Sequence, residues 1–313
     1  MLTQLREELR DDVRVVYRHF PLVTIHDKAI LSTAASEAAA LQGKFWESHE
    51  YLYVNQADWS QLSIDKFNEW LVNNMVSDLS LDKEKFVSDL QSESIMNLAQ
   101  YSWEVGKALN IPGTPYFILN GTPYNGPLDP TNIMMILKLM DLKELQYTEC
   151  PPIIIDPLKR YVATIQTEKG DIKLDLFPDV APLAVNSFIF LANNGWFDNV
   201  TFHRVLPGFV AQAGDPTGTG IGGPGYAYKN ETSPELVFDR AGLLALANSG
   251  PDSNGSQFFI TYGPAANLNG GYTIFGEVIG GMDIVNSLSP RDPQSGSNLP
   301  EGDRIITITI DEN

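Results

Sequence analysis

The pattern of apolar and polar positions changes at about residues 146–160. Before this point apolar residues recur at helical spacing. They predict helices within residues 33–41, 45–53, 63–73, 82–90, 95–109 and 130–142. Short apolar runs at 13–17 and 114–119 predict two buried strands, the second ended by Asn120-Gly121.

After this point the apolar residues alternate with polar ones, as in strands with one buried face. Residues 161–167 and 171–177 flank Lys169-Gly170 and predict a hairpin. Pro182 predicts the first turn of a helix that buries Val185, Phe188 and Leu191. Many short strands, glycine-rich turns and only two helices predict a closed barrel, in which the last strand (304–310) pairs with the first.

Proline residues stiffen the segment between the two patterns, and they predict a semi-rigid linker at 148–159. The predicted domains are then 1–147 and 160–313, which suits a chain of 313 residues with 43% hydrophobic residues. The formal net charge is -18, and neither half is basic. Nucleic acid and anionic membranes are therefore not expected partners.

Cysteine and histidine are too few for redox or metal chemistry within this sequence. Cys150 is the single cysteine and can form no internal disulfide, and with four histidines no zinc site, other metal site or cofactor is expected. No apolar stretch reaches the length of a membrane span. Residues 1–9 lack the apolar region and cleavage site of a signal peptide and resemble the end of an amphipathic helix.

Two blocks of the second half carry the candidate chemistry. Residues 202–215 place Arg204 among apolar side chains with Gln212 eight positions later, and residues 247–260 add amides and a second pair of phenylalanines. Together they predict an apolar slot with one fixed cation and several amide donors. The glycine-rich run 214–225 lacks the Gly-Lys-Ser/Thr ending of a phosphate loop, so nucleotide binding is not predicted.

Such a slot suits the rotation of a peptide bond that precedes proline. Resonance makes this rotation slow, and a catalyst must stabilise the twisted amide more than the planar forms. The twisted imide nitrogen regains a lone pair, which a guanidinium can meet with a hydrogen bond. Arg204 is therefore the predicted electrostatic catalyst.

Residues 161–311, and above all the two blocks, resemble the cyclophilin-type peptidyl-prolyl isomerases. The resemblance implies an eight-stranded antiparallel barrel capped by two helices, with Arg204 and Gln212 as catalytic residues. It implies substrate contacts from Phe209, Val210, Ala247, Asn248 (through its backbone), Gln257, Phe259, Leu268 and Tyr272. His203 is expected to support Arg204 and to transfer no proton.

Alternation along the strands sorts the phenylalanines of the two blocks. Phe202 and Phe258 are expected in the barrel core, and Phe209 and Phe259 on the side facing the slot. Many eukaryotic cyclophilins place Trp just before the slot leucine and His four residues after it, where this chain has Asn267 and Tyr272. Because that indole contacts cyclosporin in the family, weak cyclosporin binding is expected.

Residues 1–145 resemble the DsbA-like branch of the thioredoxin superfamily, an α/β fold with a helical insertion. The resemblance rests on 13–22, on 43–49 and on 111–117, where Thr114-Pro115 is expected to be cis. Family members have a first strand and a Cys-x-x-Cys before the point where this chain begins, so the domain is expected to be incomplete and without redox activity as given. A truncated start and a degenerate domain retained to bind extended peptides both remain open.

Three functions follow in order of preference. The first is a cofactor-independent isomerase that acts on proline-containing peptides and unfolded proteins. The second is a fusion of this isomerase with a thiol-disulfide oxidoreductase, if an upstream dithiol exists. The third is a non-catalytic module that binds proline peptides. The compartment is not fixed by the sequence, although relatives of the first half mostly work outside the bacterial cytoplasm.

Overall fold

The structure is a computed structural model, and it describes residues 6, 7, 9, 11, 13–295 and 299–312. Contacts divide the chain into two units, Met1–Pro130 and Thr131–Asn313. The helix predicted at residues 1–9 falls mostly outside the described residues. Among the described helices, none combines the length and the hydropathy that a membrane span requires.

The first unit is mainly helical, and five of its seven described helices lie where the apolar spacing predicts them, whereas two short ones, Gln56–Trp59 and Val76–Asp78, were not predicted. The seven helices are α1 (Ala29–Ala40), α2 (Phe45–Val54), α3 (Gln56–Trp59), α4 (Ile64–Trp70), α5 (Val76–Asp78), α6 (Lys83–Leu90) and α7 (Glu93–Ala108), with a π-helical turn at Leu71–Met75. Side-chain oxygens of Ser63, Asp82 and Ser92 accept backbone N–H bonds at the starts of α4, α6 and α7. These caps explain where the three helices begin.

The core of this unit forms around the alanine-rich helix α1. Ala34, Ala35, Ala38 and Ala39 are buried, and α1 packs against α2, α6 and α7. Large side chains from the later helices fill the space that the small alanine side chains leave. Those that are fully buried are Phe67, Leu71, Met75 and Phe86.

Of the two strands predicted in the first half, one is present and one is wrong. Strand β1 (Phe117–Leu119) pairs with β2 (Thr122–Tyr124) across Asn120-Gly121, and the Thr114–Pro115 bond is cis as expected. Residues 13–17 form no ladder. The segment is held by side chains instead, because the Tyr17 ring packs on His49 at 4.7 Å and on Phe45 at 5.7 Å. The short apolar run indicated that the segment packs against the protein, but it did not identify a hydrogen-bonding partner.

The second unit begins within α8 (Pro130–Lys143) and contains one antiparallel sheet. Among the described residues this sheet has eight strands, in the order β10-β3-β4-β9-β7-β8-β6-β5. Their bounds are β3 (Tyr161–Thr167), β4 (Gly170–Leu176), β5 (Arg204–Leu206), β6 (Val210–Ala213), β7 (Leu243–Leu246), β8 (Phe258–Thr261), β9 (Ile274–Gly280) and β10 (Ile305–Glu312). The predicted hairpin is β3–β4, and the last strand pairs with the first, with Ile310 opposite Ala163.

The two ends of this strand order, β10 and β5, meet just before both strands begin. A single bridge joins Thr201 and Arg304, and the N–H of Phe202 donates to the Asp303 carbonyl at 2.9 Å. The Ile305 N–H donates to the Val200 carbonyl at 2.8 Å. The curved sheet is therefore closed by these few bonds rather than by a continuous ladder.

Two helices cap the sheet, α9 (Pro182–Asn193) and α10 (Met282–Ser287). Pro182 lies in the first turn of α9, and Val185, Phe188 and Leu191 are buried, as predicted. They join a core that contains Ile165, Phe202, Phe258 and Phe275, so the expected core positions of Phe202 and Phe258 are confirmed.

Residues preceding β3 also pack on this unit. Leu142 and Ile155 are buried in its core. Asn186 of α9 accepts from the Ile154 N–H at 2.7 Å and donates to the Pro152 carbonyl at 3.0 Å. The domain boundary at 147/148 and the linker at 148–159 stay predictions. These contacts suggest a test of where a stable isomerase fragment begins.

Candidate active site

The candidate site lies on one face of the β5–β6–β8–β7 part of the sheet. Arg204 on β5 is directly opposite Gln212 on β6, Gln212 is opposite Phe259 on β8, and Phe259 is opposite Ala245 on β7. Directly opposite residues of antiparallel strands share a face and lie close together. The spacing of eight between Arg204 and Gln212 is thus the length of a hairpin that brings the two side chains side by side.

A cavity of about 170 Å³ opens on this face. An engineered apolar cavity of about 150 Å³ holds a benzene molecule, so the volume is sufficient for a five-membered ring. The cavity is lined by Arg204, Phe209, Val210, Gln212, Ala247, Asn248, Phe259, Leu268 and Tyr272. The structure therefore gathers at one cavity nine of the ten residues that the sequence predicts to be catalytic or to contact substrate.

Aromatic rings form most of the apolar wall. The rings of Phe259 and Tyr272 meet edge to face at 5.7 Å, and Phe238 stacks behind Phe259 at 5.9 Å. Phe259 and Leu268 are almost completely buried, whereas Phe209 is half-buried at the edge. The Phe259 ring is packed from behind, and the wall suits an apolar ring better than a charged group.

The cation of the site is the half-buried Arg204. Its Cζ atom lies 5.9 Å from the centre of the Phe209 ring, within the range of a cation–π contact. Its Nη1 lies 3.5 Å from Gln212 Oε1. These contacts place the guanidinium at the cavity, and no carboxylate of the described residues forms an ion pair with it.

Gln257 is the tenth predicted residue, and it is not among the residues that line the cavity but bonds to Gln212, which is. Gln212 Nε2 donates to Gln257 Oε1 at 2.9 Å, while Gln257 Nε2 donates to the carbonyls of Gly220 at 3.0 Å and Gly222 at 2.9 Å. The two amides are therefore both oriented. Asn248 on the opposite wall donates its side-chain N–H to the Gly271 carbonyl at 2.9 Å, so its side chain is fixed within the protein.

His203 lies behind the site rather than in it. It is 2% exposed and, as the neighbour of Arg204, points to the opposite face of the strand. Burial lowers the pKa of His203, and the positive charges of Arg291 and Arg204 lower it further, against an opposing effect of Asp215. The imidazole is therefore neutral at ordinary pH.

Asp215 and Arg291 are two residues near the site that the sequence analysis missed. Asp215 is fully buried, and the backbone of Arg291 pairs with that of Val205 in β5. The threonines two and four positions after Asp215 are a signal for side-chain to backbone turns and could have identified it. Arg291 has no comparable signal. Within the described ranges, no group of His, Cys, Asp or Glu side chains could hold a metal ion.

Comparison with known proteins relates each half of the chain to a family. Residues 1–139 match the family model described as Thioredoxin, so the first half is thioredoxin-like. Residues 162–310 match the model described as cyclophilin type peptidyl-prolyl cis-trans isomerase/CLD.

Individual relatives agree with the second match. The chain is 43% identical over 180 residues to peptidyl-prolyl cis-trans isomerase A of Mycobacterium tuberculosis. The aligned region covers 52% of this chain and 98% of that protein. It is 41% identical over 167 residues to peptidyl-prolyl cis-trans isomerase B of Streptomyces anulatus, covering 48% and 95%. A solved cyclophilin type isomerase of Cryptosporidium parvum is 39% identical, with a TM-score of 0.45 over 49% of this chain and 99% of that one. The chain thus belongs to the cyclophilin type peptidyl-prolyl cis-trans isomerase family.

Proposed function

We propose that this protein catalyses cis–trans isomerisation of X-Pro peptide bonds in proline-containing peptides and unfolded proteins. The observation that carries the proposal is a cavity with aromatic and aliphatic walls, large enough for a proline ring. At its edge lies the Arg204 guanidinium, which pairs with no carboxylate among the described residues. Family membership supports the same activity. The reaction needs no nucleophile and no proton transfer, so the pocket residues themselves provide the chemistry.

In the proposed mechanism the apolar wall holds the proline ring while the preceding carbonyl rotates. Rotation breaks the amide resonance and leaves a lone pair on the imide nitrogen. Arg204 donates a hydrogen bond to this lone pair, which exists only in the twisted state, and the interaction therefore lowers the barrier selectively. Partial burial strengthens the bond because less water competes for the guanidinium.

The remaining pocket residues have binding roles in this proposal. Phe209, Phe259 and Leu268 contact the ring, and Val210 and Tyr272 border it. Gln212 and the backbone of Asn248 hydrogen-bond the substrate main chain, and Ala247 leaves room for the residue before proline. Gln257 borders this groove, and His203 supports Arg204 from behind.

Arg204 provides the direct test. In an isomerisation assay on a short proline peptide, Arg204→Ala is expected to lower kcat/KM by ~100-fold or more, as for the loss of a preorganised electrostatic group. Arg204→Lys is expected to be intermediate, because lysine keeps the charge and loses the planar fork of donors. The matched control is Arg240→Ala, an exposed arginine that pairs with Asp239 and Glu277.

The Arg240 variant should keep the wild-type rate. Full activity of Arg204→Ala would overturn the mechanism. A wild-type protein that binds proline peptides without accelerating their isomerisation would instead make the domain a binding module.

We also propose that cyclosporin binds this protein weakly. Asn267 is exposed beside Leu268, at the position where many eukaryotic cyclophilins carry the tryptophan that contacts the drug. Asn267→Trp should strengthen inhibition because it adds apolar contact area at the pocket edge. The measurement is an inhibition curve for wild type and variant, and nanomolar inhibition of the wild type would contradict the proposal.

A further inference from the structure

A fully buried carboxylate lies directly behind the candidate active site, at the end of β6. Asp215 accepts bonds on Oδ1 from the Thr217 N–H at 2.8 Å and the Thr217 hydroxyl at 2.7 Å. Its Oδ2 accepts from Gly220 N–H at 2.7 Å, Gly222 N–H at 3.1 Å and the Thr219 hydroxyl at 3.3 Å. Residues 215–222, the carboxylate loop, are therefore wrapped around one side chain.

The wrapping is tight enough to determine a residue type. A Cβ atom on Gly222 would lie 2.1 Å from Asp215 Oδ1, so this position of the carboxylate loop requires glycine. Charge-assisted bonds from buried donors are stronger than neutral ones, and the loss of one leaves the partner unsatisfied. The backbone of the loop is thus held to the carboxylate along its whole length.

The carboxylate loop in turn presents two carbonyls to the amide of Gln257. Gly220 and Gly222 accept from Gln257 Nε2 at 3.0 and 2.9 Å. A flipped amide would place its oxygen against two carbonyl oxygens, so the loop allows a single orientation. Both residues bond to Asp215 through their N–H groups and to Gln257 through their carbonyls.

The orientation passes from Gln257 to Arg204. Because Gln257 Oε1 accepts from Gln212 Nε2 at 2.9 Å, the oxygen of Gln212 is left to face Arg204 Nη1 at 3.5 Å. If Gln212 were flipped, its NH₂ group would face the guanidinium, and two donors would be opposed. The position of the cation then depends on amide orientations that are set by the carboxylate loop.

We propose that Asp215 is a positioning residue for Arg204 and Gln212, acting through the carboxylate loop and Gln257. The inference rests on the proposed isomerase function. Asp215 lies outside the cavity, but it determines the orientation of the Gln212 amide inside the cavity. The prolyl wall is formed by Phe209, Phe259, Leu268 and Tyr272, which lie outside this loop.

Asp215→Asn is the first variant to test. Asparagine keeps the shape of the side chain, but its NH₂ group cannot accept a hydrogen bond. In one orientation of the amide the bonds from Gly220 and Gly222 are lost, and in the other the bonds from Thr217 are lost. We expect kcat/KM per folded molecule to fall by about 10-fold or more, because small misplacements of catalytic groups have effects of this size. The loss should lie in kcat with KM nearly unchanged, since the ring-binding wall stays intact.

Gln257→Met is the second variant, and it leaves the Asp215 bonds in place. A thioether neither donates to the two glycine carbonyls nor replaces the acceptor that orients the Gln212 amide, so the same fall in kcat is expected without involving the buried carboxylate. If both residues act through one path, the double variant should be no slower than the slower single variant. Side-chain amide NMR signals of Gln212 should shift in both single variants.

Glu231→Gln is the matched control. Glu231 also accepts two backbone N–H bonds, from Leu183 at 3.1 Å and Ala184 at 2.9 Å, but it does so at the start of α9. This variant should lose stability and keep the wild-type kcat/KM per folded molecule.

The outcomes distinguish failure of the isomerase function from failure of the positioning role of Asp215. A wild-type protein without turnover would refute the isomerase function itself. An active wild type whose Gln257→Met variant retains kcat, or whose Asp215→Asn variant folds and retains kcat, would overturn the positioning role. If Asp215→Asn does not fold, Gln257→Met and the Gln212 amide signals decide the question alone.

Discussion

At the scale of single residues, the chemistry of the site depends on which charged side chains lack a partner of opposite charge. Arg204 faces a cavity and has no carboxylate partner in the part of the chain that the structure describes, whereas Arg240 is paired with Asp239 and Glu277 at the surface. Two residues of the same type therefore have different chemistry because of their surroundings. His203 illustrates the reverse case, since burial among charged neighbours keeps a titratable group neutral.

Burial of His203 should make the stability of the protein depend on pH. Its pKa in the folded protein is lowered from the usual 6.5, so the unfolded chain takes up a proton first as pH falls. The contribution is fully present above the unfolded pKa and is lost as pH falls towards the folded pKa.

Urea unfolding at about pH 7.5 and about pH 5.5 measures this effect. The free energy of unfolding should fall less steeply towards acid pH in His203→Gln than in the wild type. Carboxylates titrate in both proteins, so the comparison of slopes isolates the histidine. Parallel slopes would contradict the assignment.

At the scale of elements, hairpins and tight turns place the pocket residues. The β5–β6 hairpin brings Arg204 beside Gln212, and the ladder to β8 adds Phe259. The turn between β9 and α10 shows how closely such connections are packed. There Gly281 has φ of 82° and lies against the backbone of β4.

Gly281→Ala should destabilise the protein by ~1–3 kcal/mol, from strain at positive φ and from a steric clash. The new Cβ would lie 2.2 Å from the Asp171 carbonyl oxygen, which is backbone and cannot move aside cheaply. Gly263→Ala is the control, because no atom lies within 4 Å of its Cβ position and its φ is not positive. Thermal unfolding of both variants gives the comparison, and equal midpoints would show that the β9–α10 turn adapts freely.

At the scale of the whole molecule, the chain combines a thioredoxin-like region with a cyclophilin domain. Residues of the end of the first predicted domain and of the predicted linker take part in the core of the second unit. Leu142 and Ile155 are buried there, and the Tyr147 N–H donates to the Pro224 carbonyl at 2.9 Å. We therefore propose that the stable isomerase fragment begins near residue 131 and not at 160.

Two fragments test this proposal. The fragment 160–313 lacks two buried aliphatic side chains, and truncation of each to alanine would alone cost ~2–5 kcal/mol. Its unfolding midpoint should lie at least about 5 °C below that of the fragment 131–313. Equal midpoints would show that residues 131–159 do not contribute to the stability of the isomerase domain.

Much of the fold and site was predictable because local pattern and motif carried it. The hairpin β3–β4, the helix that starts at Pro182 and the core positions of Phe202 and Phe258 follow from alternation, from proline geometry and from strand periodicity. The strand predicted at 13–17 is wrong because a short apolar run indicates burial, whereas a strand ladder also needs a neighbouring strand that a linear sequence does not show.

The sequence alone determined the family, the helices and strands of the barrel domain and the presence of an apolar slot with one arginine, because spacing and residue type are local properties. Only the tertiary structure decided that Arg204, Gln212 and Phe259 form one row across three strands. It alone showed the fully buried Asp215 behind them, held by a loop that also orients Gln257. Hydrogen-bond partners and burial depend on residues distant in the chain, and for that reason these features appear only once the chain has folded.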